Sequence, residues 1–366
     1  MHSELLLVVV VITALAFDFT NGFHDTANVV ASSISTRALS PRNAIALASV
    51  LNFVGAFISL KVAATIATGI VDAGQVTETI AFAALIGAIA WNLITWAYGL
   101  PSSSSHALIG GVIGAMLAAV GGAGVKGGAI LSKVVVPALI APVSAFLLAG
   151  LLIVIIYLIV GRRRPGPVTR AFRVGQIGTS AALALAHGTN DAQKTMGVIT
   201  LALVAHGSLR AGHASVPSWV VICAATAISL GTYAGGWRII RTVGTRIIKM
   251  DSAQGFAAQG AGAVVILISS HFGYPLSSTH VISGGVMGAG AAKRVSAVRW
   301  GVAGNIAAAW IVTLPAAGCF GAAAYWLSSV FGSGVAGPLL ISGAAIAALA
   351  ALLAAHRRGL AEAASA

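Results

Sequence analysis

Charged residues are scarce in this chain. Only 8% of its 366 residues are charged and 58% are hydrophobic, which gives a mean hydropathy of +0.96. A soluble globular chain carries roughly 25% charged residues, so the composition indicates an integral membrane protein. A helix needs ~20 apolar residues to cross the hydrocarbon, and on that measure the long uncharged runs predict an all-α protein with about ten to twelve membrane segments.

Cysteine and nucleotide-binding motifs are also nearly missing. The two cysteines, Cys223 and Cys319, both lie in apolar stretches, which excludes a disulfide framework and a zinc site. No Walker motif is present, so ATP-driven transport by this chain alone is not expected. The first apolar run, Glu4 to Ala16, has neither a basic flank nor a cleavage site, and we expect a retained helix rather than a signal peptide.

Only eight residues are acidic, and three of them lie in or beside a duplicated motif. Asn21-Gly-Phe-His-Asp25 recurs 166 residues later as His187-Gly-Thr-Asn-Asp191. A carboxylate within the bilayer costs several kcal/mol and marks a functional site by default. We therefore predict that Asp25 and Asp191 bind a coupling cation or carry a coupling proton, with helix capping as the structural alternative. Asp18 has no acidic counterpart, and either a helix-end or gating role or a ligand role fits it.

Glycines inside this motif predict that its two helices are broken. Gly22 and Gly188 tolerate backbone conformations that open a helix. The freed carbonyls, together with the side-chain oxygens of Asn21, Asn28 and Asn190, could then coordinate a hard cation.

A second duplicated motif carries the opposite chemistry. Pro101-Ser-Ser-Ser-Ser-His106 recurs 174 residues later as Pro275-Leu-Ser-Ser-Thr-His280. A proline at a helix start, followed by hydroxyl residues, presents free N–H groups and a positive dipole to a tetrahedral oxyanion. The alternative is that the hydroxyls cap or bond back to their own helix. The candidate phosphate-binding residues are Ser103, Ser104, Ser105, Ser277, Ser278 and Thr279.

Four histidines and one glutamine are supporting candidates. His106 and His280 follow the hydroxyl clusters and could donate to the anion, relay a proton or hold the hairpin by hydrogen bonding. His24 and His187 flank the aspartates and carry the same ambiguity. Gln259 is a candidate for the cavity wall, with a buried interhelical hydrogen bond as the alternative.

The duplication predicts one transport domain made of two membrane repeats, residues 1–160 and 176–366, joined by a basic linker at 161–175. Polar motifs that interrupt apolar segments in both halves are typical of secondary transporters with inverted repeats, here with two re-entrant hairpins and broken helices. Inverted topology puts the four segments richest in Lys and Arg on one side, which the positive-inside rule makes cytoplasmic. The net charge of +13 therefore indicates a multi-pass protein of the cell membrane with a cytoplasmic central loop, and no nucleic-acid partner.

Over nearly its whole length the chain resembles the inorganic phosphate transporter (Pit) family, and within it the bacterial low-affinity branch. The resemblance is carried by Phe19 to Asn28, His187 to Gly197, the two proline–serine–histidine motifs and Asn305 to Pro315. It implies an inverted-repeat α-helical transporter that carries inorganic phosphate with a co-transported cation. The aspartates would serve the cation and the hairpins the phosphate. No cofactor and no resident metal are implied.

The family pattern commonly has Asn where this chain has Lys194. We expect the Lys194 ammonium to fill the space of a sodium ion or to neutralise Asp191, which favours coupling to protons or uptake of a neutral metal–phosphate complex. Sodium-coupled phosphate symport and a sulfate permease of the same fold are the alternatives. A passive channel fits less well, because paired mid-membrane motifs with hydroxyl hairpins favour a carrier. An intramembrane enzyme also fits less well, since adjacent Ser or Thr and His residues rarely form a nucleophile–base pair. A homodimer is compatible with such a bundle.

Overall fold

The computed structural model describes residues 2–210, 215–332 and 334–347. Within these ranges the chain is helical, with no β-strand beyond one isolated bridge between Val71 and Val125, which confirms the predicted all-α class. The helices are α1 His2–Ser35, α2 Pro41–Gly55, α3 Lys61–Thr68, α4 Glu78–Tyr98, α5 Ser104–Val120, α6 Gly127–Ile130, α7 Val136–Val160, α8 Pro165–Ala205, α9 Ser218–Ala234, α10 Trp237–Arg241, α11 Ser252–His271, α12 Ser278–Lys293, α13 Trp300–Ser329 and α14 Ala336–Ala347.

The predicted helix breaks at Gly22 and Gly188 are wrong. Helices α1 and α8 run without interruption through both aspartate motifs. The glycines are instead points of close packing, because a Cβ at Gly22 would overlap the carbonyl oxygen of Ile228 and one at Gly188 that of Asn52. No backbone carbonyl is therefore freed by a break at either glycine, and the polar side chains carry the chemistry here.

Only some of the predicted membrane segments are helices of full membrane-spanning length. Five helices of the described chain are long and apolar enough to cross a membrane, or six if the bent pair beginning at Ser218 counts as one span. The prediction of about ten to twelve included shorter helices, since α2, α5, α9 and α12 have only 15 to 17 residues against the ~20 that spanning requires. Helix α8 is long but carries the polar aspartate motif in its middle.

The junction between the halves is also more ordered than predicted. Helix α8 begins at Pro165, inside the segment 161–175 that we predicted as a linker. Proline is accepted at the first helical position, where its missing N–H would have no partner in any case. The Pro-Gly-Pro sequence thus starts a helix, and only a short turn separates α7 from α8.

The contacts between helices repeat between the two halves. Helix α1 packs on α9 and α2 on α8, while α5 packs on α13 and α12 on α7. The larger helix contacts are preserved when α1, α2, α4, α5 and α7 exchange places with α8, α9, α11, α12 and α13. The last long helix of each half therefore packs against the helix that follows the serine motif of the other half, α7 against α12 and α13 against α5, so the two halves interlock. We call α5 and α12 the hairpin helices.

Small residues make this interlocking possible. A Cβ at Gly110 or Gly114 of α5 would overlap the backbone of α13, and one at Gly284 or Gly288 of α12 would overlap the backbone of α7. Small residues at such spacing let helix backbones approach closely in membrane proteins. The glycines after each histidine motif hold the hairpin helices against the opposite half.

Candidate functional site

The two matched aspartates lie together in the interior. Asp25 in α1 and Asp191 in α8 are both buried, and one carboxylate oxygen of each lies within 4.8 Å of the other and of a ring nitrogen of His187. Residues from the same motif in two halves thus form a single acidic cluster.

Lys194 supplies the positive charge of this cluster. Its ammonium is buried, is paired with Asp191, and donates to Ser105 Oγ at 2.5 Å and to the Leu276 carbonyl oxygen at 2.9 Å. Asp191 is therefore paired with a lysine, whereas the ion-pair partner of Asp25 among the described residues is His24. The predicted contact between Lys194 and Asp191 is present.

The first turn of α12 faces both aspartates. Ser278 Oγ donates to Asp191 Oδ2 at 3.3 Å, and Thr279 Oγ1 donates to Asp25 Oδ1 at 3.4 Å. Asn28 Nδ2 donates to Thr279 Oγ1 at 2.8 Å. Two hydroxyls predicted for the anion and two carboxylates predicted for the cation are thus direct neighbours.

Two of the six predicted hydroxyls serve as helix caps. Ser103 Oγ accepts from the His106 amide at 3.1 Å, and Ser277 Oγ accepts from the His280 amide at 3.3 Å. This is the usual N-cap arrangement, and it matches the alternative reading of the motif at these two positions. The remaining hydroxyls contact other parts of the chain: Ser104, Ser278 and Thr279 contact side chains of α1 and α8, and Ser105 donates to the Leu276 carbonyl oxygen in the turn before α12.

His24 and His187 both reach the aspartates. His24 Nδ1 lies 2.9 Å from Asp25 Oδ1, and its Nε2 lies 3.1 Å from Thr95 Oγ1. His187 Nε2 lies 3.0 Å from Asp191 Oδ2, and its Nδ1 lies 3.2 Å from Asn52 Oδ1. Each histidine therefore links an aspartate to a polar side chain of another helix.

His106 and His280 lie on the outer side of the hairpins instead. Their rings meet edge to face at 4.7 Å, and His280 stacks on Trp310 at 4.0 Å between centroids. His280 Nδ1 is 2.5 Å from Ser277 Oγ, and both rings line an apolar groove between α7 and α13. These contacts fit a structural role for the two histidines.

Two of the predicted amide residues, Asn190 and Gln259, also differ in what they contact. Asn190 Nδ2 donates to Ser270 Oγ at 2.9 Å, beside the second hairpin. Gln259 Nε2 donates to the Val29 carbonyl oxygen and to Ser33 Oγ, so it joins α11 to α1 and makes no hydrogen bond to either aspartate within the described residues. Gln259 thus makes interhelical hydrogen bonds, which was the alternative to its predicted place in the cavity wall.

Several polar neighbours were not predicted. Thr95 and Ser102 bond to each other at 2.8 Å and both lie beside His24. Asp18, for which the sequence left a gating and a ligand role open, is fully buried next to the predicted Asn21 and the unpredicted Thr195. A single threonine in an apolar helix gives little sequence signal, because only its three-dimensional neighbours distinguish a site residue from one that bonds back to its own helix.

A model of the phosphate transporter family matches residues 21–321 of the chain. The chain belongs to this family. It is 52% identical over 327 residues to a probable low-affinity inorganic phosphate transporter of Mycobacterium leprae (strain TN), covering 89% of this chain and 79% of the relative. A relative with the same description from Rhizobium meliloti (strain 1021) is 47% identical over 326 residues, covering 89% and 97%.

The fold of this family member also has a solved counterpart. A structure described as the sodium-dependent phosphate transporter superposes with a TM-score of 0.83 at 26% identity, covering 89% of this chain and 99% of the other. The resemblance drawn from the motifs is therefore confirmed, and so is the conclusion that the chain is a multi-pass membrane transporter rather than an enzyme.

Proposed function

We propose that this transporter takes up inorganic phosphate with low affinity, by alternating access and in symport with a cation. The observation that carries the proposal is the position of Ser278 and Thr279, whose hydroxyls donate to Asp191 and Asp25 from the N-terminal turn of α12. An anion-binding helix terminus in direct contact with two carboxylates couples the binding of an anion to the binding of positive charge. The descriptions of the relatives support phosphate as that anion.

Phosphate would bind between the N-terminal turns of α5 and α12. Ser104 and Ser105 contribute hydroxyls from one helix, and Ser278 and Thr279 from the other. At that position the anion would meet the positive dipole ends of both helices. Ser103 and Ser277 would act indirectly, by capping these turns and keeping them formed.

Coupling follows from competition for the hydroxyl donors. In the structure Thr279 donates to Asp25 and Ser278 to Asp191. A proton or cation on a carboxylate removes the charge that attracts the hydroxyl, which then turns to phosphate. Phosphate without a further positive charge would lie beside two carboxylates with only the Lys194 ammonium to offset the three anionic groups at low dielectric, which is costly. The two ligands therefore bind together.

Lys194 favours protons, or a neutral metal–phosphate complex, over sodium as the coupling species. Its ammonium already lies against Asp191 and Ser105, in the position beside the carboxylate that a sodium ion would need. The matched position in the first half is Asn28, a neutral residue. Asp25, which makes no ion pair with a lysine within the described residues, would be the site for the coupling proton or cation.

For the topology we propose two inverted repeats in the cell membrane, residues 1–160 and 176–366, with the basic junction at 161–175 in the cytoplasm. The exchange symmetry of the helix contacts supports the repeat. The crowding of Lys and Arg into the connecting segments on one side supports the orientation.

Uptake of labelled phosphate into proteoliposomes tests the proposal, with proton and sodium gradients imposed separately and cold sulfate in excess. We expect proton-driven uptake that resists sulfate and is lost in Asp25→Asn and Asp191→Asn. Ser283→Ala is the matched control, because Ser283 is a buried hydroxyl of α12 with no hydrogen-bond partner among the described residues. Strong competition by sulfate would identify a sulfate permease, and flux without any gradient would contradict symport.

A further inference from the structure

A third pair of residues is duplicated, outside the aspartate and serine motifs. Lys61 and Thr65 in α3 recur 177 residues later as Arg238, in α10, and Thr242, which follows it. In both halves the two residues are four apart, so the cation and the hydroxyl share one helix face. Both short helices lie between the second helix of their half and the helix that leads into its serine motif.

Each cation caps the hairpin of the opposite half. Arg238 Nη1 donates to the Ala97 carbonyl oxygen at 2.6 Å, in the last turn of α4. Lys61 Nζ donates to the His271 carbonyl oxygen at 2.9 Å, at the last residue of α11. Ala97 and His271 are themselves matched positions, separated by the same 174 residues as the two serine motifs. The two bonds are therefore equivalent: a cation of the second half bonds to the first half, and a cation of the first half bonds to the second.

The contacts extend into the turn that precedes each serine motif. Gly99 and Gly273 both have positive φ, +64° and +76°, the conformation in which glycine ends a helix. Thr242 Oγ1 donates to the Gly99 carbonyl oxygen at 2.9 Å, and the space where Gly273 would carry a Cβ is bounded by Thr65 Oγ1 at 3.3 Å. A cation near the last carbonyls of a helix satisfies orphan acceptors and the negative dipole end.

We propose that Lys61 and Arg238 are a crossed pair of positioning residues, each holding the phosphate-site hairpin of the other half closed on one face of the membrane. The proposal rests on the proposed alternating access. Both side chains are exposed, unlike Lys194, so each bond can exchange for water when its hairpin moves. Inverted topology places the two caps on opposite faces, and loss of one cap then opens one face only.

Side-specific cysteine labelling tests this inference. The reporters are Leu100→Cys and Tyr274→Cys, matched positions that follow the two glycine turns and are 36% and 38% exposed, in a background with Cys223→Ala and Cys319→Ala. Arg238→Gln should raise the rate at which a membrane-impermeant maleimide labels Leu100→Cys roughly ten-fold, because the loss of one charge-assisted hydrogen bond shifts an equilibrium by about that factor. The labelling of Tyr274→Cys should stay unchanged. Lys61→Gln should do the reverse.

Arg241→Gln is the matched control, since Arg241 is an exposed cation of the same short helix whose guanidinium makes no hydrogen bond within the described residues. Arg238→Lys and Lys61→Arg should restore slow labelling. Equal effects of both variants on both reporters, or no effect, would overturn the inference. Labelling requires no phosphate movement, so a failure of phosphate uptake in wild-type proteoliposomes would count against the proposed function and not against the crossed caps.

Discussion

Lys194 and Asn28 occupy matched positions in the two halves, and each donates a hydrogen bond to a hydroxyl of the opposite hairpin. Lys194 Nζ is 2.5 Å from Ser105 Oγ, and Asn28 Nδ2 is 2.8 Å from Thr279 Oγ1. The contact is the same in geometry and different in charge. A site built from two equivalent halves therefore has one half that carries its own cation and one that does not.

Replacing Lys194 with Asn should make the two halves alike. We expect Lys194→Asn to give phosphate uptake that responds to a sodium gradient, because removal of the ammonium leaves Asp191 free to bind a metal cation. The measurement is labelled uptake under proton and sodium gradients in turn. Wild-type uptake that already depends on sodium would contradict the role given to Lys194.

Asp25→Asn should separate coupling from binding. The amide imitates a protonated carboxyl, so phosphate exchange between the two sides of a proteoliposome should persist. Proton-driven net uptake should be lost, because an amide cannot bind and release the coupling proton. Counterflow and gradient-driven uptake, measured on the same preparation, distinguish the two. Equal loss of both would mean that Asp25 is structural.

The hydroxyls of α12 should control apparent affinity. Ser278→Ala and Thr279→Val each remove one donor near a charged ligand, which is worth about 1.5–3 kcal/mol, so we expect KM for phosphate to rise by roughly ten-fold or more. Ser283→Ala, on the same helix, should leave KM within about two-fold, because the Ser283 hydroxyl makes no hydrogen bond within the described residues and its loss removes no contact of the site. A similar KM in all three variants would exclude the α12 turn as the anion site.

Gly22 should tolerate no side chain. A Cβ there would overlap the Ile228 carbonyl oxygen, and we expect Gly22→Ala to destabilise the protein by about 1–3 kcal/mol, as overpacking does. Gly178→Ala is the control, because nothing lies within 4 Å of its Cβ position and alanine favours the helix by roughly 0.5–1 kcal/mol. Thermal unfolding in detergent compares the two variants. Equal melting temperatures would show that α1 can move away from α9 without loss of stability, which would contradict the prediction.

A histidine outside the membrane helices should give a pH dependence. His206 Nδ1 is 2.5 Å from Glu78 Oε1, and its Nε2 is 3.4 Å from Glu4 Oε1. The hydrogen bond to Glu78 raises the pKa of His206 above its usual 6.5. A raised pKa in the folded state means that the stabilisation is complete below pH 6.5 and is lost as the pH rises through the folded-state pKa.

We therefore expect the melting temperature of wild type to exceed that of His206→Gln at pH 6, and the difference to shrink as the pH rises to about 9. The side chains of His206 and Glu78 are each 10% exposed, and we expect the effect to be modest, about 1 kcal/mol. Melting curves at a series of pH values check it, and a difference that stays constant with pH would show that the His206 contacts do not depend on its charge.

Much of the candidate site could be proposed from the sequence because its chemistry is local. An aspartate in an apolar run, a proline followed by four serines, and the recurrence of both are visible without a fold, and they led to Asp25, Asp191, Ser278 and Thr279. The exposure of carboxylates to lipid is so costly that any such residue must face a partner. The class of protein and the candidate ligands therefore followed from composition and spacing.

Only the tertiary structure decided which partner each residue meets. Gly22 and Gly188 could as well have broken their helices as packed them, since glycine does both and the choice depends on a helix more than a hundred residues away. The matching of Lys61 and Arg238 was invisible in the sequence, because a lysine and an arginine in short exposed helices become a pair only when the opposite hairpin brings its carbonyl oxygens within hydrogen-bond distance. Spacing along the chain determines the residue types available to a site, whereas the crossing of the two halves determines their contacts.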